Sequence, residues 1–193
     1  MSSGEGPVRV AVLVSGSGTN LQALLDTLKS SMVARVVRVI SNRADAGALD
    51  RARRANVATT VLRNPADANE LLAALHGAQL VVLAGYLKLV PTAVVAHFRG
   101  RMINVHPALL PDFGGPGMYG HRVHAAVLAS GAKVSGATVH FVDEQFDRGE
   151  IIAQERVRVE PGDTPDSLAA RVLEAEHRLL PKVVLELAER IRE

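Results

Sequence analysis

The run from Val8 to Val14 is short, apolar and rich in β-branched residues, and it stops at Ser15-Gly16-Ser17-Gly18. A run of that length reads as a strand buried on both faces, which a chain can supply only inside a sheet covered by helices on both sides. The residues after it fit that demand. Asn20 to Leu28 carries apolar residues at 21, 24, 25 and 28, the spacing of one helical face. Strand-like runs follow at 33–40, 59–62, 80–84 and 102–105. Helix-like segments lie between them at 46–55, 68–76 and 91–98, the last with Pro91 at its first position. Strand and helix in alternation predict a Rossmann-like α/β fold: an open, mostly parallel sheet with helices on both faces.

The alternation breaks at Pro107 to Gly120, a segment with three prolines and four glycines. A loop this long inside a compact domain is usually functional. Beyond it the reading is a helix over 122–129 and two strands over 137–142 and 151–159. The short turn between those strands makes them an antiparallel pair near the C-terminal part. Thr164-Pro165-Asp166 is a helix start, with a cap, a proline and an acid in order. Pro181 is expected to kink or end that helix before a last amphipathic stretch. No repeat or linker interrupts the 193 residues, so residues 1–193 read as a single domain.

Composition narrows the partners. With 48% hydrophobic residues a disordered chain is excluded, and with no cysteine so are disulfides and thiolate chemistry. Met1 to Pro7 lacks the basic start and apolar core of a signal peptide. No apolar run reaches the ~18 residues of a membrane span. A cytoplasmic protein without a membrane partner is the expectation. The formal charge is +2, basic residues form no block, and the aromatics are four Phe and two Tyr. Nucleic acid, which wants a basic groove with stacking platforms, is not an expected partner.

Two groups of residues carry chemistry. The first is the loop Ser15-Gly16-Ser17-Gly18-Thr19-Asn20, at the carboxyl end of the first strand and the start of the first helix, where open parallel sheets bind ligands. It is not a dinucleotide fingerprint. Leu21 occupies the third glycine position, and Ser41-Asn42-Arg43 stands where an acid would follow the second strand. Nor does it hold the Gly-Lys-Ser/Thr of a Walker loop. A tight strand-to-helix turn and a simple phosphate cradle at the helix N-terminus both remain open. The second group is Asn104 and His106, two apart at a strand end and so on one face, followed by the Pro/Gly loop. Near the same edge lies the acidic turn Asp143-Glu144-Gln145-Phe146-Asp147-Arg148-Gly149. An amide, an imidazole and a carboxylate suit acyl transfer. The amide donates to an oxyanion, the imidazole moves a proton, and the carboxylate holds the imidazole and raises its pKa. No serine nucleophile is evident beside His106, so direct attack by a substrate amine is favoured over a covalent intermediate. Structural readings stand beside these: Asn104 and His106 as braces for the loop, and Asp147 as ordinary Asp-x-Gly turn chemistry. His121 and His124 lack a third ligand, so no metal is expected. His140 reads as a brace rather than a catalyst.

Several stretches together resemble the phosphoribosylglycinamide formyltransferase family, the folate-dependent glycinamide ribonucleotide transformylases of purine synthesis. They are Val12 to Ala23, Ser41-Asn42-Arg43-Ala44-Asp45-Ala46, Val82-Leu83-Ala84-Gly85-Tyr86-Leu87, Ile103-Asn104-Val105-His106-Pro107-Ala108-Leu109-Leu110-Pro111, and Gly136 to Glu144 running on to Asp147. The Asn-x-His-Pro-x-Leu-Leu-Pro stretch is a mark of folate formyltransferases generally. The Ser-Gly-x-Gly-x-Asn loop points among them to the ribonucleotide enzyme. The resemblance implies transfer of a formyl group from 10-formyltetrahydrofolate, as co-substrate, to the amine of N1-(5-phosphoribosyl)glycinamide. It implies a phosphate held by Gly18, Thr19 and Asn20, a ribose or amine contact at Glu176, and a folate wall at Tyr86, Leu87, Lys88, Leu89 and Val90, with Asn104, Val142 and Asp143 on the other side. It implies catalysis by Asn104, His106 and Asp147, with Asp147 keeping His106 charged. Partners are then small molecules, and the enzyme a monomer or homodimer. Two stretches depart from the family. Residues 63–77 match poorly, where some relatives place a basic folate contact. The 112–120 loop is longer than in many relatives and has Pro116 where longer-loop members carry a basic residue. A formyltransferase acting on methionyl-tRNA would be expected to carry a further C-terminal domain, and a formyl-folate hydrolase an N-terminal regulatory one. A nucleotide-binding module would keep the Ser15 to Asn20 loop without needing Asn104, His106 and Asp147 together.

Overall fold

β1 (Val8–Val14) has even-numbered residues on one face and odd-numbered ones on the other, and both faces are covered. Val8, Val10, Val12 and Val14 belong to one core, while Ala11 and Leu13 belong to another. The computed structural model describes residues 6–193. The reading of Met1 to Pro7 as lacking a leader therefore falls, for residues 1–5, outside the described residues.

The other elements follow in chain order: α1 (Thr19–Leu28), β2 (Ala34–Ser41), α2 (Gly47–Arg54), β3 (Ala58–Val61), α3 (Ala68–Ala74), β4 (Leu80–Leu83), α4 (Thr92–His97), β5 (Met102–His106), α5 (His121–Ala129), β6 (Val134–Phe141), β7 (Ile151–Arg158) and α6 (Pro165–Arg192). The seven strands form one sheet in the order β3-β2-β1-β4-β5-β6-β7. The first five in that order run parallel. β6 then runs antiparallel to both β5 and β7. This is the open, mostly parallel sheet that the alternation predicts, with its antiparallel part toward the C-terminus. On one face α1, α2 and α6 bury Leu21, Leu24, Leu49, Leu180, Val183 and Val184 against the sheet. On the other, α3 and α4 bury Leu71, Val94 and Val95. Among the described residues no helix is long and apolar enough to cross a membrane.

Three local expectations change. Pro91 is the cap before α4 rather than its first residue; its extended ψ of 138° turns the chain into the helix. β6 begins three residues earlier than its apolar run, at Val134, because Val134 and Ser135 pair with Arg158 and Val157 of β7. Pro181 does not end the C-terminal helix; α6 continues through it to Arg192. An interior proline costs roughly 3 kcal/mol, through one lost backbone bond and a clash one turn back. Beyond it, Val183, Val184 and Leu187 are buried in the main core, each contributing about 1.5–3 kcal/mol. Their burial outweighs the proline.

The start of α6 is closed by a reciprocal cap. The Thr164 hydroxyl accepts from the Ser167 amide at 3.2 Å, and the Ser167 hydroxyl accepts from the Thr164 amide at 3.0 Å. Thr164→Ala is expected to lower the unfolding free energy by about 1 kcal/mol. It should be read as a shift of the urea midpoint with an unchanged slope. An unmoved midpoint would mean that the cap contributes nothing.

Candidate active site

In a parallel sheet a crevice opens where neighbouring strands send their connections to opposite faces. Here that happens between β1 and β4, since β1 leads into α1 on one face and β4 leads toward α4 on the other. A cavity of about 500 Å³ lies at this carboxyl edge. Its wall includes the segment after β4, the end of β5, the 115–121 part of the long loop, the turn after β6, and one side of α6.

The expected wall at 86–90 is present: Tyr86, Leu87, Lys88, Leu89 and Val90 all line the cavity, as do Val142 and Asp143 opposite. The segment is held by polar residues of the first two strands. The Ser15 hydroxyl accepts from the Leu87 amide at 2.9 Å and donates to Asn42 Oδ1 at 2.6 Å. The Ser15 amide also donates to the Gly85 carbonyl at 3.1 Å. Ser15, read above as part of a phosphate loop, thus anchors the opposite wall. Tyr86 and Val90 are buried, while Leu87 and Leu89 are half exposed and offer apolar surface to a flat ligand. Burial pushes the Tyr86 phenol up to about 12, so it stays neutral.

Asn104, His106 and Asp147 come together. β5 carries the first two on one face, and its antiparallel register sets Asn104 opposite His140 of β6. Asn104 Nδ2 lies 3.1 Å from His140 Nε2 and 3.4 Å from Asp147 Oδ1. Asp147 Oδ2 lies 3.5 Å from His106 Nδ1, and Oδ1 lies 3.6 Å from His140 Nε2. Both imidazoles are nearly inaccessible. His140 Nδ1 faces the Phe141 carbonyl at 2.8 Å. A carbonyl only accepts, so this nitrogen carries the proton and Nε2 accepts from Asn104. His140 therefore orients the Asn104 amide, in keeping with its reading as a brace and not a catalyst. The shorter of the two Asn104 contacts goes to His140. The longer one, at 3.4 Å, goes to Asp147.

Asp147 lies in the turn, but it is the Asp143 side chain that bonds locally there, accepting from the Gln145 amide at 2.9 Å. Asp147 adopts a left-handed φ of 56° and reaches across to accept from the Gly115 amide at 3.0 Å. Burial alone would raise its carboxyl. The Gly115 amide, together with His140 and His106 when either is protonated, outweighs burial and holds it below the usual carboxylate range. For His106 the balance falls the other way. Burial lowers its pKa, and the opposing pull of Asp147 and the Phe113 carbonyl does not restore it. Asp147 does pull the His106 pKa upward, in the direction that the resemblance implies, while burial pulls it down by more. A carboxylate at 3.5 Å recovers only part of the hydration that a buried imidazolium loses.

The acceptor side differs in detail from the reading of the glycine loop. Asn20 and Glu176 line the cavity; Gly18 and Thr19 do not. Gly18 is the cap of α1, with φ 76°. A Cβ there would sit 2.5 Å from Ala48 Cβ, so the helix packing requires glycine whatever else the loop holds. The Asn20 side chain donates to Glu176 Oε2 at 2.5 Å, while its Oδ1 is buried without a partner among the described residues. Burial raises the Glu176 carboxyl to about 7, and the Asn20 contact offsets only part of that. His121 and His124 also line the cavity. Burial and the neighbouring His121 and His106 lower the pKa of His124.

The formyl transferase family model matches residues 8–184. A chloroplastic phosphoribosylglycinamide formyltransferase of Arabidopsis thaliana is 45% identical over 186 residues, covering 91% of this chain and 64% of the relative. The chain thus spans just under two thirds of that plant protein. The phosphoribosylglycinamide formyltransferase of Escherichia coli K12 is 39% identical, with 92% of this chain and 85% of the relative covered. The solved phosphoribosylglycinamide formyltransferase of Anaplasma phagocytophilum superposes with a TM-score of 0.88 at 37% identity, over 95% of this chain and 87% of that one. The chain belongs to the formyl transferase family and, within it, to the phosphoribosylglycinamide formyltransferases.

Proposed function

We propose that the chain transfers the formyl group of 10-formyltetrahydrofolate to the amine of N1-(5-phosphoribosyl)glycinamide in purine synthesis, with residues 1–193 acting as one formyltransferase domain. The observation that carries the proposal is the placement of Asn104, His106 and Asp147 in the wall of one cavity with the 86–90 segment, Asn20 and Glu176. The pterin end of the folate occupies the wall from Tyr86 to Val90, facing Val142 and Asp143. The ribonucleotide lies toward the start of α1. Backbone amides of Gly18, Thr19 and Asn20 at the helix N-terminus take the phosphate. Glu176 contacts the ribose or the amine end.

The amine attacks the formyl carbon directly. A C–N bond forms, the carbonyl oxygen becomes an oxyanion, and Asn104 donates to it. One proton leaves the attacking nitrogen and passes through His106 to N10 as the bond from N10 to carbon breaks. Tetrahydrofolate and the formylated amide result, with no net change in charge. Burial lowers the His106 pKa, which suits the proton-accepting step, and Asp147 stabilises the imidazolium that forms.

His106→Ala and Asp147→Asn are each expected to lower kcat for formyl transfer by about 10²- to 10⁴-fold, measured with both substrates against wild type. Transfer that survived in His106→Ala would overturn the mechanism. Consumption of formyl-folate that did not depend on the ribonucleotide would overturn the choice of acceptor.

Glu176 gives a pH signature. Its folded pKa of about 7 lies above the ordinary 4.5, so the folded state holds this proton longer than the unfolded state does. The stability that it contributes is present below the ordinary value and is lost as pH rises toward 7 and beyond. Glu176→Gln should remove up to roughly 3 kcal/mol of that pH dependence, seen as a wild-type-minus-variant difference in unfolding free energy between pH 5 and pH 8. The same variant should weaken ribonucleotide binding more than folate binding. A difference independent of pH would show that the buried carboxyl is ionised throughout.

A further inference from the structure

Three consecutive residues of the long loop meet the catalytic pair through their backbone. The Phe113 carbonyl lies 2.8 Å from His106 Nε2. The Gly115 amide donates to Asp147 Oδ2 at 3.0 Å. Between them, Gly114 has no room for a side chain: a Cβ would lie 2.6 Å from Leu110 Cδ2 and 3.1 Å from Asp147 Cβ. Phe113 itself holds φ 56°, a left-handed conformation that residues with a Cβ rarely adopt outside an enforcing context. The enforcing context is its ring, which packs on the cluster of Val127, Leu168 and Val172 where α5 meets α6. This aromatic ring seats the loop on the helices, and the loop's carbonyl reaches His106.

We propose that Phe113 is a positioning residue: its carbonyl confines the proton of neutral His106 to Nε2 and leaves Nδ1, beside Asp147, as the nitrogen that gains and loses the proton during transfer. The reasoning is one of donor and acceptor types. A backbone carbonyl only accepts, so the nitrogen facing it must carry hydrogen. The Asp147 carboxylate also only accepts, but at 3.5 Å from Nδ1 it makes no hydrogen bond, whereas the carbonyl stands 2.8 Å from Nε2, so in a neutral imidazole Nε2 holds the one hydrogen and Nδ1 is bare. That nitrogen faces a carboxylate at 3.5 Å, and a proton arriving there creates an ion pair where the opposite charge already stands. The proton from the attacking amine goes to Nδ1 and leaves from Nδ1 to N10, while the Nε2 hydrogen never moves. The inference deepens the formyl-transfer reading and rests on it for its kinetic consequence, though not for the tautomer itself.

The test uses the full chain labelled with ¹⁵N at histidine, with the His106 signals assigned by their loss in His106→Gln. At a pH where His106 is neutral, ¹⁵N shifts and two-bond proton couplings distinguish the two tautomers. Wild type is expected to show Nε2–H. Phe113→Ala removes the ring anchor and should populate Nδ1–H, with kcat reduced about tenfold or more, as misplacing the tautomer of a catalytic imidazole does, and with both KM values within about threefold of wild type. Phe113→Leu keeps an apolar anchor and should restore most of both. Wild-type His106 carrying its proton on Nδ1 would overturn the proposal even if Phe113→Ala failed to fold. A fall in kcat with the tautomer unchanged, or a changed tautomer with kcat unchanged, would overturn it too. If wild type transferred no formyl group, the proposed function would fall, and the tautomer measurement would still decide the role of Phe113.

Discussion

The geometry of the whole molecule hangs on β1, which has a parallel neighbour on each side and connections leaving toward opposite faces. Burying both faces of β1 requires helices on both sides. Sending α1 to one face and the β4 connection to the other opens the crevice between them. Every polar group in the cavity is placed relative to that opening. Ser15, at the end of β1, bonds to Asn42 past the end of β2 and to the Leu87 amide past the end of β4, so one hydroxyl ties three strand ends together beside the site.

The change from parallel to antiparallel pairing at β5 and β6 supplies the second half of the chemistry. It sets His140 directly opposite Asn104, and it turns the chain after β6 so that Asp147 folds back between two imidazoles. A buried carboxylate needs partners. Asp147 finds them on three separate segments: His106 on β5, His140 on β6 and Gly115 in the long loop. The lowered basicity of His106 is what fits it to accept a proton rather than simply hold one.

Much of this was legible in the residues. The β-branched runs and the 3.6-residue spacing of Leu21, Leu24, Leu25 and Leu28 marked the elements, because burial on the sheet is what those patterns encode. Asn104 and His106 could be placed on one face from the two-residue period alone. What escaped the reading depended on long-range register or on backbone groups. His140 could be read as a brace, but not for Asn104, because that partner lies 36 positions away. Phe113 and Gly115 act through a carbonyl and an amide, which every residue owns, so side-chain chemistry gives no sign of them. The resemblance implies Gly18 and Asn20 as phosphate ligands, but no local pattern shows that the Asn20 side chain also meets a helix that begins more than a hundred residues later, or that Gly18 also admits the close approach of Ala48. Pro181 misled for a related reason: a local helix breaker was weighed without the core that its helix covers.

The unbroken course of α6 has a consequence for how the protein can vary. Glu176 meets Asn20 in the cavity wall, and Leu180, Val183, Val184 and Leu187 on the same helix fill the core beneath the sheet. Because one continuous helix carries them all, the height and rotation of Glu176 follow from how those side chains seat. Drift in the core and selection at the ligand-facing carboxyl are therefore not independent. A lineage that reshapes the packing under β1 and β2 must re-register the helix, or compensate at Asn20, to keep the same acceptor.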